Sequence, residues 1–297
     1  MMAGRRGYEV ALADAAEAAG GRLVHERRLP GLAAWGRVVD YRLGQIESLP
    51  SVSLYLHSEL STDDILEFGF EHVVIATGSR WRRDVIARTR VTPVPTDPQM
   101  PVFTPEQLWR GQRPAGRCVV LYDDDHYYMG GVLAELLAGE GFTVTLVTPA
   151  AEASMWTRNT MEQPRIQRRL LESGVRILAH RVASGIAGHA LQTACIFTGE
   201  IVEHAADAIV LVTSRLPRNE LAAGLDARAA EWSVAGIVSV QTIGDALAPG
   251  TIAAAVYGGR RFAEELGQEV DEDRLPYRRE VAELAPFDFS QASGRRT

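Results

Sequence analysis

The segment YEVALAD at positions 8–14, followed by AAEAAGGRL at positions 15–23, decides how this chain is built. The run Tyr8–Leu12 predicts a strand, and an acidic residue, Asp14, follows it closely. A strand followed by a carboxylate is typical of the second strand of a dinucleotide-binding βαβ unit, where the carboxylate binds ribose hydroxyls. The glycine-rich loop of such a unit lies roughly 20 residues earlier in the chain. We therefore predict a Rossmann-type domain whose first strand would lie before position 1 of this sequence.

The composition is that of a globular protein, with 297 residues, 46% hydrophobic and 23% charged residues, and a net charge of −7. Both signs of charge are spread along the chain, so we expect no nucleic-acid partner. All 31 basic residues are Arg, which excludes the lysine of a Schiff base or a P-loop. No apolar run is long enough to span a membrane, and Glu9, Asp14 and Glu17 interrupt any signal peptide. We therefore expect a cytoplasmic protein without a membrane partner.

Strands and helices alternate along the rest of the chain, which favours parallel α/β layers. A second βαβ unit begins with the strand Cys118–Tyr122, in which we expect Cys118 to be a small buried hydrophobe. Its helix is predicted over 131–141 and its next strand over Thr143–Val147. The two cysteines, Cys118 and Cys195, have no metal-binding spacing.

These patterns predict an α/β fold class with two Rossmann-like, three-layer domains of the type that binds FAD or NAD(P), the first lacking its first strand. Residues 1–112 and 233–297 would form a discontinuous domain that binds FAD or ADP. Residues 113–232 would form an inserted NAD(P)-binding-like domain.

Three short motifs lie where such a fold binds its nucleotide. Asp14 and the Gly20–Gly21 pair would bind the adenosine and diphosphate end. The Ala76–Gly78 segment follows a strand, at a place where glycine lets the backbone approach a ligand. Gly244–Asp245 places a carboxylate ahead of a helix N-terminus, suited to phosphate and ribityl groups. The predicted cofactor-binding residues are Asp14, Gly20, Gly21, Arg22, Leu23, Trp35, Ala76, Thr77, Gly78, Gly244 and Asp245; we assign no catalytic residue and no metal ligand.

The turn of the second βαβ unit reads DDDHYYMGG at positions 123–131 and departs from GxGxxG. Three carboxylates would repel a pyrophosphate, and Tyr127 and Tyr128 fill the space that glycine leaves open. This sequence argues against a nicotinamide cofactor there. Two other interpretations stay open: a metal site formed by the three Asp and His126, and carboxylates that cap the following helix.

The order of these motifs resembles the pyridine nucleotide-disulfide oxidoreductase-like fold. Within that group the chain looks most like the C-terminal half of trimethylamine dehydrogenase and its relatives, which include histamine dehydrogenase, N-methyl amino acid demethylases and dienoyl-CoA reductase. The narrower resemblance rests on LPGL at 29–32 with Trp35, ATGSRW at 76–81, TPEQ at 104–107 and PYRRE at 276–280. It covers nearly the whole chain.

The resemblance implies a TIM barrel with FMN and a four-iron cluster ahead of two nucleotide-binding domains. In the reductases these domains bind FAD and a nicotinamide cofactor, whereas in trimethylamine dehydrogenase the first binds ADP and electrons leave to an electron-transfer flavoprotein. This sequence contains neither the barrel nor the cluster cysteines. We therefore expect the FAD- or ADP-binding portion of an amine dehydrogenase or demethylase, active only with a barrel portion in cis or in trans.

Two alternatives belong to other classes. The first is an NAD(P)H-dependent flavin reductase of the dienoyl-CoA reductase type, against which the 123–125 carboxylates weigh. The second is a non-catalytic structural or interaction subunit whose nucleotide sites have decayed, against which the intact Asp14, Ala76–Gly78 and Gly244–Asp245 motifs weigh.

The absent first strand would leave two neighbouring strands without a partner, at about 1–3 kcal/mol for each orphaned backbone group. Three arrangements would restore the pairing. The native protein extends upstream of Met1, a partner chain supplies the strand, or the two flanking strands pair directly. Residues 1–8 resemble the end of the first helix of such a unit, followed by its second strand. We therefore expect the native protein to extend upstream of Met1.

Overall fold

A computed structural model describes residues 1–268 of the chain. The strands are β1 Val10–Ala13, β2 Val52–Tyr55, β3 His72–Ile75, β4 Ser79–Trp81, β5 Val102–Phe103, β6 Cys118–Asp123, β7 Thr143–Val147, β8 Arg176–Leu178, β9 Arg181–Ala187, β10 Ala190–Cys195, β11 Ile201–Ala205, β12 Ala208–Val212, β13 Arg215–Pro217 and β14 Ser239–Thr242. The helices are α1 Met2–Arg5, α2 Leu23–Glu26, α3 Gly36–Glu47, α4 Thr62–Phe68, α5 Pro105–Trp109, α6 Tyr128–Gly139, α7 Gln163–Glu172, α8 Glu220–Ala227 and α9 Ile252–Glu265.

The largest sheet is parallel and has the strand order β5-β12-β6-β7-β8. Leu121 of β6 lies opposite Val210 of β12 and Leu146 of β7. All five residues of β12 are buried, as expected for a parallel strand covered on both faces.

The two faces of this sheet pack against different layers. Val119 and Leu121 belong to an apolar cluster with Leu133 and Leu137 of α6. Their neighbours in β6, Val120 and Tyr122, pack with residues of the antiparallel meander β11-β10-β9. A parallel sheet between a helical layer and a β layer confirms the predicted α/β class.

The first predicted unit contains two separate parallel pairs, β1 with β2 and β3 with β14. Within residues 1–268, β1 and β3 do not pair with each other. The direct pairing of the two flanking strands, one of the three arrangements that the sequence left open, is therefore not formed.

Several predicted boundaries were displaced. The first strand begins at Val10 and not at Tyr8, because pairing starts where the Val10 N–H donates to Ser51 O, at 2.8 Å. Helix α6 begins at Tyr128, so Gly130 and Gly131 are helical. The prediction that Cys118 is buried was wrong: it begins β6 at the exposed end of the strand.

The division into domains 1–112 with 233–297, and 113–232, stays a prediction. Strand β4 pairs with β13 across that boundary, and β5 pairs with β12. The PYRRE motif at 276–280 lies outside the described residues. In the described part of the chain, no helix combines the length and the hydropathy that crossing a bilayer requires.

Candidate nucleotide site

Asp14 lies at the carboxyl end of β1, beside the end of β2. Its backbone N–H donates to Tyr55 O at 2.9 Å, which extends the parallel pair by one residue. Its Oδ1 accepts a hydrogen bond from the Ala16 N–H at 2.9 Å and so closes the turn after the strand. The side chain is half-buried, and within residues 1–268 its second oxygen accepts no hydrogen bond. A ribose hydroxyl could donate to that oxygen.

The glycine pair after this turn has a conformation that favours glycine. Gly20 and Gly21 adopt φ angles of +126° and +57°. Positive φ angles are unfavourable for residues that have a Cβ atom. A Cβ at Gly20 would lie 2.9 Å from Val39 of α3. The segment that follows β1 therefore packs closely against α3 at Gly20.

Leu23 and Trp35 pack inside the protein. Leu23 is buried, and Trp35 contacts Tyr128 edge to face at a centroid distance of 5.1 Å. The predicted role of both residues in binding a cofactor stays a prediction, and the contacts that the structure gives Trp35 are packing contacts.

The Ala76–Gly78 segment follows β3. Gly78 has a φ of +82° with open space where a Cβ would be, and its carbonyl accepts from the Arg218 N–H at 2.9 Å. The Thr77 hydroxyl donates to the Arg218 carbonyl. Ala76 and Thr77 are exposed, so this backbone is accessible to a ligand.

Asp245 follows Gly244, whose φ is +59°, at the carboxyl end of β14. Its Oδ1 accepts from the Gly250 N–H at 2.9 Å. Its Oδ2 accepts from the Ser79 hydroxyl at 3.1 Å and from Arg215. The acceptors of this carboxylate are thus largely engaged within the protein.

Two arginines and a buried glutamate surround Asp245. Arg22 donates to Glu26 at 2.8 Å and to Gly250 O at 3.2 Å, and its Nε lies 3.5 Å from Asp245. Arg215 pairs with Asp245 and donates to Gly250 O at 2.7 Å. We name the side chains of Arg22, Glu26, Arg215 and Asp245 the arginine–carboxylate cluster.

Burial governs the electrostatics of this cluster. Burial raises the pKa of Glu26 above its usual value, although Arg22 acts in the opposite direction. Burial, and next the positive charge of Arg22, lower the pKa of Arg215. Taking charges out of water costs free energy unless the charges are paired, and here the two cations also repel each other.

The structure thus brings together Arg22 and Asp245 among the predicted residues. The sequence analysis missed Glu26 and Arg215, which complete the cluster. Arg215 carried one signal, because a cation three residues after the fully buried strand β12 lies at the ligand-binding edge of a parallel sheet.

The 123–126 loop of the second unit is directed inward. Asp123 is fully buried, and its Oδ1 accepts from the N–H groups of Asp125 and His126, at 3.1 and 3.0 Å. Burial and then the charge of Asp125 raise the pKa of Asp123 to about 7. A Cβ added to Gly130 would overlap the Asp123 carboxyl group. The first turn of α6 therefore packs on an internal carboxylate.

Asp124 joins this loop to the crossover segment. Its Oδ2 accepts from the backbone N–H and the hydroxyl of Thr89, at 3.1 and 2.6 Å. Its Oδ1 lies 3.1 Å from His126 Nε2, without the alignment of a hydrogen bond. His126 has a φ of +64°.

Both earlier interpretations of this loop can now be compared with the structure. The prediction that its carboxylates cap α6 was wrong, because the N-cap residue is Tyr127 and, within residues 1–268, no side chain caps the free N–H groups. The carboxylates instead bind N–H groups of the loop and of Thr89. In the part of the chain that the structure describes, no group of three or more His, Cys, Asp or Glu is arranged to hold a metal ion.

Known proteins are similar to this chain in sequence and in fold. Residues 103–212 match the family described as OYE-like second alpha/beta domain. Dimethylamine dehydrogenase of Hyphomicrobium is 34% identical over 93% of this chain and 41% of its own length. The structure of histamine dehydrogenase from Rhizobium sp. 4-9 is 49% identical, with a TM-score of 0.90, over 96% of this chain and 45% of that chain. The chain is homologous to the dimethylamine and histamine dehydrogenase family.

A further relative is the 6-hydroxypseudooxynicotine amine oxidase of Pseudomonas geniculata N1, which is 42% identical with a TM-score of 0.85. It matches 90% of this chain and 40% of its own chain. The resemblance found in the sequence motifs is thus confirmed. The chain spans less than half the length of these homologues.

Proposed function

We propose that this chain is the adenine-nucleotide-binding portion of a flavin-dependent oxidoreductase of the amine dehydrogenase or demethylase type. The nucleotide is FAD or ADP and lies in the first unit. Amine oxidation requires a barrel portion that carries FMN and a four-iron cluster, in cis or in trans. Electrons would then pass to an acceptor such as an electron-transfer flavoprotein, in the cytoplasm.

One observation carries the proposal. The four glycines predicted to lie against a nucleotide, Gly20, Gly21, Gly78 and Gly244, all have positive φ angles. They follow the carboxyl ends of β1, β3 and β14, beside Asp14 and Asp245. In α/β folds, nucleotides bind at this edge of the sheet, and glycine permits the close approach of the backbone.

The residues at the adenosine end fit an adenine nucleotide. Asp14 would accept hydrogen bonds from the ribose, and the backbone at Gly20–Gly21 and Ala76–Gly78 would contact the diphosphate. A bound FAD would supply redox chemistry, whereas ADP would supply only binding energy and structure. The engaged acceptors of Asp245 support ADP, because ribityl hydroxyls would compete with Ser79 and Arg215 for its oxygens.

The buried Asp123 also supports the amine dehydrogenase type over an NAD(P)H-dependent reductase. Its carboxylate lies against the first turn of α6, where a dinucleotide would place its phosphates. Asp124, in the same loop, accepts a hydrogen bond from the Thr89 hydroxyl. A nicotinamide cofactor would have to displace both groups.

The test is binding of ADP to the purified full chain, by nucleotide extraction followed by isothermal titration. We expect ADP to bind, and Asp14→Asn to weaken it about tenfold, because a charged hydrogen bond to the ribose becomes a neutral one. The amide side chain retains the oxygen that accepts from the Ala16 N–H, so the turn after β1 should persist.

Asp97→Asn is the matched control. Asp97 Oδ1 accepts from the Gln99 N–H at 2.9 Å, the same turn geometry as at Asp14, in the loop before β5. This variant should bind ADP like the unmodified chain. Equal affinities of Asp14→Asn and Asp97→Asn, or no retained and no added nucleotide, would contradict the proposal.

A further inference from the structure

A group of apolar side chains lies exposed at the amino ends of β3 and β14. Phe68 and Phe70 are 59% and 45% exposed, and Val234 and Val238 are 91% and 67% exposed. The two segments are in contact, because the Val238 N–H donates to Glu71 O at 2.8 Å. Contiguous exposed apolar surface is typical of a site where another part of a protein binds.

A groove of about 420 Å³ lies within this surface, between the end of α4 and the segment that precedes β14. Glu231 in its wall pairs with Arg228 at 2.6 Å, whereas Glu67 forms no ion pair within residues 1–268. A groove of this chemistry suits an apolar side chain that is flanked by positive charge. We name it the acidic groove, and its lining residues are Leu66, Glu67, Ala230, Glu231, Val234 and Ala235.

The last described residue, Gln268, lies at the same edge of the sheet. Helix α9 begins beyond the carboxyl end of β14, and its other end is held where Arg6 and Tyr8 donate to Leu266 O, at 2.9 and 3.1 Å. Tyr8 precedes β1, so this contact marks the amino ends of the strands. The 14 residues of α9 are about 21 Å long, enough to return the chain to the edge where the acidic groove lies.

The sequence after Gln268 has two parts of opposite charge. The first, EVDED at 269–273, contains four carboxylates, which Glu67 would repel. The second, RLPYRR at 274–279, contains three arginines around a short apolar stretch with Tyr277. The nine residues from Gln268 to Tyr277 span at most about 30 Å, which is about the diameter of a small domain. Segment 274–279 therefore has both the reach and the chemistry that the groove requires.

We propose that the acidic groove binds segment 274–279 of the same chain, with the ring of Tyr277 against Leu66 and Val234 and the arginines beside Glu67. A tether this short keeps the segment at an effective concentration in the millimolar range, so weak contacts suffice. An exposed ion pair stabilises little by itself, and the aromatic ring supplies most of the binding. The bound segment would cover the exposed apolar surface.

Disulfide trapping in the full chain tests this placement. Ala230→Cys and Leu275→Cys are combined with Cys118→Ser and Cys195→Ser, which remove the native thiols. We expect a disulfide between positions 230 and 275 of one chain, identified by mass spectrometry of its peptides. Ala151→Cys with Leu275→Cys is the matched control, since Ala151 and Ala230 are both exposed and position 151 lies in the second unit. This control pair should form a disulfide at least tenfold more slowly.

Two further changes test the contacts with the groove. Glu67→Arg should slow disulfide formation between positions 230 and 275 about fivefold, because it repels the arginines. Arg278→Glu and Arg279→Glu in the same chain should restore the rate. Tyr277→Ser should slow the reaction at least as much as Glu67→Arg. Glu67 is exposed, so its replacement should leave the fold intact, which thermal unfolding checks.

The other outcomes contradict the proposal. Equal rates for the 230–275 and 151–275 pairs would show that the segment has no preference for the groove. A disulfide that forms only between two chains would assign the groove to contact between copies and refute binding within one chain. A rate that neither Glu67→Arg nor Tyr277→Ser changes would refute the proposed contacts.

Discussion

The free energy of unfolding should fall as pH rises from about 4 to about 7, and replacement of Asp123 by Asn should make this fall much smaller. The Asp123 carboxyl is fully buried and has a pKa of about 7 in the folded chain, against an ordinary value of 3.8. Between these two values the folded chain retains a proton that the unfolded chain releases. The free energy of unfolding therefore falls with rising pH across this interval and levels off above it.

The expected size follows from the same shift. At about 1.4 kcal/mol for each pKa unit, the proton on Asp123 accounts for roughly 4 kcal/mol between the ends of the interval. The amide introduced by Asp123→Asn would retain an oxygen that accepts from the Asp125 and His126 N–H groups and would not ionise. The variant should thus be more stable than the unmodified chain at pH 8, and the difference should shrink at pH 5.

Urea unfolding at several pH values between 5 and 8 measures this difference. Asp97→Asn again provides a matched control, because Asp97 also accepts from the N–H two residues ahead. Its difference from the unmodified chain should stay constant with pH. Parallel curves for Asp123→Asn and the unmodified chain would show that Asp123 does not titrate in this range.

The second large effect is expected at Gly130 in the first turn of α6. A Cβ at this position would overlap the carboxyl group of Asp123, which the loop holds in place by two hydrogen bonds. Gly130→Ala should therefore destabilise the protein by about 3 kcal/mol, as overpacking of a rigid interior does. Thermal unfolding of the variant measures the loss.

Gly139, at the other end of the same helix, supplies the control. A Cβ there would have no neighbour within 4 Å, so Gly139→Ala should leave stability unchanged or raise it by about 0.5–1 kcal/mol. Equal stabilities of the two variants would mean that the close contact between Gly130 and Asp123 is not maintained in solution.

Local signals in the sequence predicted much of the fold. The apolar runs of β6 and β7 predicted strands of a parallel layer, which the structure contains. The glycines after β1 and β3 were predicted to let the backbone approach a ligand, and the structure gives them positive φ angles. The start of α6 was displaced by three residues. Gly130 lies before the predicted start of the helix, whereas it is helical in the structure, and a Cβ there would overlap the carboxyl group of Asp123.

Local sequence signals could not predict the arginine–carboxylate cluster, because it depends on contacts between distant segments. Arg22 and Glu26 are one helical turn apart, but Arg215 reaches Asp245 only because β13 pairs with β4. That antiparallel pair joins segments far apart in the chain and has no short-range signal. The burial of Asp123 was missed for a related reason, since a run of three Asp normally indicates a solvated turn.

The position of β12 has a consequence for how the protein opens. This strand has a hydrogen-bonded neighbour on each edge and five buried residues, whereas β1 and β3 each have one neighbour within residues 1–268. Amide protons in β12 should therefore exchange with deuterium only when the whole five-stranded sheet opens, and those of β1 should exchange through smaller fluctuations. The proposed nucleotide site would then lie in the less protected part of the molecule, where binding of a ligand can most readily slow the exchange.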